Sequence, residues 1–146
     1  VAGSPVGTSP ASDVYKRQMI VLPERVEQRR ANFARYFDRY SNKPGIEFQP
    51  EIVGNYSNRW LTCVLINPDI TGFTREDLRL ALEKENIESR PLWKPMHLQP
   101  VFEKELYYGE SVSETLFDNG LCLPSGSNLK DEDFERIFEV MDGFFV

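Results

Sequence analysis

The chain holds one histidine, two cysteines, three methionines and two tryptophans, and each scarcity excludes something. His97 is the only imidazole, and no cysteine or serine motif places a nucleophile beside it. That argues against a self-contained hydrolase. One histidine and scattered carboxylates give no ligand spacing for a metal. Cys63 and Cys122 form neither a C-x-x-C pair nor a His/Cys cluster. Both lie in apolar runs and read as small buried hydrophobes, with a disulfide or metal pair as the alternative. Free thiols fit a reducing, cytoplasmic compartment. Basic charge is short too, with 17 Lys+Arg against 23 Asp+Glu, a net charge of −6 and a pI near 4.9. Acids are interleaved with bases, so no clustered basic face is expected for nucleic acid or an anionic membrane. No apolar run approaches the ~20 residues that span a bilayer. The turn Pro124-Ser125-Gly126-Ser127-Asn128 is too short for a phosphate cradle and lacks its lysine. It reads as a turn and helix cap, with a place on a cleft rim as the functional alternative.

What remains is an ordinary globular composition, 40% hydrophobic and 27% charged over 146 residues, enough for one domain. Val1 to Ser12 show neither period 2 nor period 3.6 and read as disordered. Without a basic start or an apolar centre they are not a signal peptide. Asp13-Val14-Tyr15-Lys16-Arg17-Gln18 resembles translated transposase-end adapter DNA. Residues 1–18 are therefore expected to be a non-native tail, with Met19 an internal position of a longer protein.

Pro23-Glu24-Arg25 opens a predicted helix, since proline and acid suit its first turn. Val26, Phe33, Phe37 and Tyr40 follow at helical spacing, and their face is expected to pack on the rest. Ile46-Glu47-Phe48 is a short strand candidate. Arg59 to Ile66 is the strongest strand, its near-continuous apolarity suggesting burial on both faces. Thr74 and Asp77 form a capping box for a helix with Leu78, Ala81 and Leu82 inside. Ile87 to Trp93 reads as a second strand. Ser111 and Glu114 form another capping box, and Asn119-Gly120 a stop. Leu121 to Leu123 is a third strand. The last helix starts near Asp131 with Phe134, Ile137, Phe138, Met141 and Phe145 on one face. Three short strands with helices on one face make a small α+β sandwich.

The densest stretch is Glu88 to Pro100, which holds His97, Trp93, Arg90, Lys94 and three prolines. Proline fixes φ and removes a donor, so a rigid extended loop displaying these groups is expected. Arg90 and Arg59 could converge at the sheet end and clamp an anion, the alternative being a surface role for Arg59. Trp93 could cover a sugar face or plug the core. His97 is either a structural hydrogen-bonder or a ligand contact.

Three motifs, Asn58-Arg59-Trp60-Leu61-Thr62, Ser89 to Pro100, and Gly120 to Gly126, jointly resemble the C-terminal part of the DegT/DnrJ/EryC1/StrS family of sugar aminotransferases. The resemblance runs from about Pro23 to Met141 and is nearest to the UDP-N-acetylbacillosamine-type transaminases. It implies the small domain of the fold-type I aminotransferase fold over residues 46–146, led by an interdomain linker helix over 19–45. It implies pyridoxal 5′-phosphate, glutamate as amino donor and a nucleotide-linked 4-keto sugar as acceptor, for amino-sugar and glycan biosynthesis. It implies a large domain and a homodimer partner as neighbours. The cofactor lysine and aspartate belong to the large domain, so no catalytic residue is carried over and this chain alone is expected to be inactive. His97, Trp93, Arg90, Arg59 and Asn58 would bind substrate. A dehydratase of the same family, or a stand-alone α+β binding or dimerisation module, are the alternatives.

Overall fold

A computed structural model describes residues 10–145. Most of the expected disordered run, Val1 to Ser9, lies outside them. A single helix, α1, spans Pro10–Tyr40, so residues 10–18 are helical where a disordered tail was expected. Pro23 sits inside this helix rather than opening it, and α1 continues on both sides of the lost amide.

The sheet is wholly antiparallel, in the order β1-β2-β4-β3. Its strands are β1 (Ile46–Phe48), β2 (Thr62–Ile66), β3 (Arg90–Pro91) and β4 (Gly120–Leu123). Four strands stand where three were expected. Three residues are too short to show a period, and β1 is specified by its ladder, with Ile46 opposite Ile66 and Phe48 opposite Val64. The strand expected from Arg59 begins only at Thr62, because Arg59 has φ +47° and a left-handed residue cannot continue a strand.

Between β2 and β3 lie α2 (Pro68–Thr71) and α3 (Arg75–Lys84). The Thr74/Asp77 capping box forms as expected, each side chain accepting from the other's backbone N–H. After β3, the proline-rich stretch folds into two 3-10 turns, Met96–Leu98 and Pro100–Phe102, rather than an extended loop. Pro100 takes the first position of its turn, where no amide is needed. Helix α4 (Val112–Asn119) runs straight into β4. Gly120 is required there: a Cβ would lie 2.2 Å from Leu92 Cδ1 and 2.3 Å from the Leu116 carbonyl. Helix α5 (Asp131–Asp142) closes the chain.

One face of the sheet makes the core. Ile46, Val64, Ile66, Leu121 and Leu123 meet Tyr36 and Tyr40 of α1, Leu78 and Leu82 of α3, and Phe134, Ile137 and Met141 of α5. Each buried aliphatic or aromatic side chain contributes about 1.5–3 kcal/mol. The buried stripe of α1 is therefore Asn32, Tyr36 and Tyr40, not Val26, Phe33 and Phe37. Phe37 is 45% exposed, and Phe33 and Val26 are half-buried. Phe33 and Phe37 instead stack on each other and meet Phe48 edge-on. The tyrosines win because each hydroxyl finds a partner: Tyr36 donates to the Pro124 carbonyl at 2.8 Å and Tyr40 to Asp142 at 2.9 Å.

Candidate functional site

The other face of the sheet is not packed on both sides, as the apolarity of β2 had suggested. It carries Glu47, Cys63 and Leu65, and with Trp60, Leu92, Trp93 and Leu116 it lines an open groove of about 730 Å³. Period-2 alternation puts Thr62, Val64 and Ile66 in the core and leaves Cys63 and Leu65 half-buried on the groove floor.

Two tryptophans form the wall. Trp60 lies two residues before β2 and Trp93 two after β3. Their rings sit 6.1 Å apart at 33°, and both are more than half exposed. Asn58 joins them at the rim, its Oδ1 accepting from the Trp60 amide at 3.2 Å. The Trp60 carbonyl is held by the Arg29 guanidinium of α1 and by the Ser125 hydroxyl at 3.3 Å. The turn after β4 is tied down too, with Asn32 Nδ2 donating to the Gly126 carbonyl at 2.8 Å.

The loop from Gln49 to Arg59 is strapped to α1 by charge. Arg30 places both terminal nitrogens on Glu51, at 2.9 and 3.1 Å. The Ser57 amide donates to the same carboxylate at 2.5 Å. Arg30 and the Ser57 amide hold the Glu51 carboxyl well below the usual carboxylate range, at about 2. Arg59 donates to the Gln49 carbonyl at 2.7 Å, stands 3.8 Å from Glu51 and lies over the Phe33 ring at 3.8 Å. These contacts offset the roughly 1–2 kcal/mol cost of its left-handed backbone.

Of the five residues singled out in the sequence, Asn58, Arg59 and Trp93 line this groove and Arg90 and His97 do not. The expected convergence of Arg59 and Arg90 on one anion does not occur. The Arg59 fork is buried and engaged, and Arg90 pairs with Glu88 on the surface. His97, in the first 3-10 turn, stacks on Tyr107 with centroids 3.7 Å apart. Its Nε2 lies 2.8 Å from Glu114 Oε1. Glu114 is thus drawn off to His97, and the expected Ser111/Glu114 capping box is absent from α4.

Trp60, Tyr56, Leu116 and Cys63 line the groove without having been singled out. The available signal was the placement of both tryptophans just outside strand ends, where a large side chain overhangs the sheet.

No lysine lines the groove. Its walls therefore offer no amine for a Schiff base and do not by themselves fit an aldehyde cofactor. Among the described residues no group of three or more His, Cys, Asp and Glu could hold a metal ion. No helix among them is long and apolar enough to cross a membrane.

The geometry has known counterparts. EpsN of Bacillus subtilis, named as a pyridoxal phosphate-dependent aminotransferase, is 44% identical over 128 residues. That match covers 85% of this chain and 32% of EpsN. The GDP-perosamine synthase of Escherichia coli O157:H7 is 33% identical over 86 residues, 59% of this chain and 22% of the relative. The aminotransferase TlmJ of Streptoalloteichus hindustanus superposes with a TM-score of 0.77 at 22% identity, covering 89% of this chain and 34% of TlmJ. That likeness shows the fold. The chain spans about a third or less of the length of these relatives. Residues 11–142 match the family profile, and with 44% identity to EpsN the conclusion is direct: the chain belongs to the DegT/DnrJ/EryC1/StrS aminotransferase family.

Proposed function

We propose that this chain is the small-domain part of a pyridoxal phosphate-dependent enzyme that moves an amino group from glutamate to a nucleotide-linked 4-keto sugar. The family membership supports the reaction class. The observation that carries the substrate class is the groove: two facing indoles over an apolar sheet, with the Asn58 carboxamide on the rim. A pyranose ring has apolar C–H faces and polar edges. Flat aromatic faces take the first and an amide takes the second. The name of the GDP-perosamine synthase relative fits an amino-sugar product carried on a nucleotide.

The cofactor supplies the electron sink for transamination. By this reading the lysine that holds it belongs to residues outside this chain; the groove itself supplies none. The residues here bind and orient the sugar and exclude water around it. His97, which does not line the groove, is proposed as a sugar-nucleotide contact outside it, braced by Tyr107 and Glu114. Large domain, homodimer partner and a cytoplasmic setting belong to the same proposal.

The test is an amination assay on a longer protein carrying this chain, with nitrogen-labelled glutamate and a nucleotide-linked 4-keto sugar. Label is expected on the sugar. A sugar product lacking water and carrying no label would replace this reading with dehydration.

A further inference from the structure

Cys63 on β2 and Cys122 on β4 are direct partners across the antiparallel ladder. Both thiols are free, and their Sγ atoms lie 3.8 Å apart. Opposed antiparallel residues have Cα atoms about 4.5 or about 5.5 Å apart. Both spacings fall within the roughly 4.4–6.8 Å that a disulfide bridges, so side-chain rotation alone can close the pair. Access is one-sided. Cys63 is half-buried and lines the groove, while Cys122 is buried behind it. The two sulfurs share a weak S–H···S contact in which either can be the donor.

We propose that Cys63 and Cys122 form a reversible dithiol–disulfide site on the groove floor, oxidised by a low-molecular-weight disulfide such as oxidised glutathione. In the first step Cys63 loses its proton and attacks one sulfur of the incoming disulfide. The S–S bond breaks and one glutathione leaves, taking up that proton. In the second step Cys122 attacks the Cys63 sulfur, a protein disulfide forms, and the second glutathione leaves with the Cys122 proton. Two electrons pass from the protein to the oxidant. The new bond ties β2 to β4 across a sequence separation of 59 residues and fixes the floor beneath the two indoles. This site does not depend on the aminotransferase reading.

The experiment incubates the folded full chain with oxidised glutathione and follows intact mass, peptide mapping and the thermal midpoint. The wild type should lose two hydrogens, give a Cys63–Cys122 cross-linked peptide and gain several degrees of midpoint, all reversed by dithiothreitol. Cys122→Ser should stop with one glutathione on Cys63. Cys63→Ser should react at least about tenfold more slowly, because the remaining thiol is buried. The proposal is overturned if both thiols stay unmodified in the folded chain while the urea-unfolded chain reacts. It is equally overturned if the wild type stops, like Cys122→Ser, at a stable mixed disulfide.

Discussion

Thr62 is fully buried in β2, and its hydroxyl has no hydrogen-bond partner among the described residues. A buried unpaired hydroxyl costs about 1–3 kcal/mol. Replacing it with the isosteric Thr62→Val should therefore stabilise the fold by about 1 kcal/mol, read as a higher urea midpoint with an unchanged slope. His97 gives the functional counterpart. In a longer protein carrying this chain, His97→Ala should weaken sugar-nucleotide use by about tenfold, roughly 1.4 kcal/mol, while leaving cofactor absorbance intact. Lost absorbance would move His97 from substrate binding to cofactor binding or folding. Residue identity was legible here and residue role was not. The Thr74/Asp77 pair showed its cap in the sequence and makes it. Ser111 and Glu114 have the same spacing, yet Glu114 reaches His97, 17 residues away. A local motif loses when a tertiary partner offers the same carboxylate a better bond.

The 49–59 loop is strapped to α1 by Arg30 and closed on itself by the Ser57–Glu51 and Arg59–Gln49 bonds. Glu51 is the pin, and its depressed pKa gives the sign of the acid response. The carboxylate is more strongly bound folded than unfolded, so its contribution is present above the ordinary value of about 4.3. It is lost as pH falls through about 2. The strap should thus survive mild acid. Carboxyl titration by NMR should place Glu51 near 2, and Arg30→Ala should return it toward the ordinary range. An unchanged titration in that variant would assign the depression to the Ser57 amide and Arg59. The elements themselves were largely readable, because α3, α5 and β4 carry clean periodic or apolar runs with good boundaries. Helix α1 was readable only in its second half. Its face was misplaced by about one position, since Phe33 and Phe37 look more apolar than Tyr36 and Tyr40. Hydroxyl partners on a distant turn and on α5, invisible in the sequence, decide which ring goes inside.

For the whole molecule, the unpacked surfaces matter most. Met19, Ile20 and Leu22 on the first half of α1 are at least 47% exposed, and the groove face of the sheet is open. Contiguous exposed apolar surface marks interfaces, and EpsN is about three times as long as the stretch it shares with this chain. The α+β class and the order of elements followed from the periodicities. Ile46 to Phe48 was legible as a strand candidate and forms β1, but its place in the sheet and the meeting of Trp60 with Trp93 required the register. Arg59 and Arg90 each found a separate acid, which no spacing argument foretold. The central claim is that this chain supplies the sugar-facing small domain while the cofactor lysine lies elsewhere in the same protein. The measurement that tests it most directly is the DNA sequence of the native gene upstream of, and in frame with, the codon for Met19. The account predicts in-frame coding sequence for an aminotransferase large domain that includes a cofactor-binding lysine. A stop codon followed by a ribosome-binding site and a start at Met19 would contradict it.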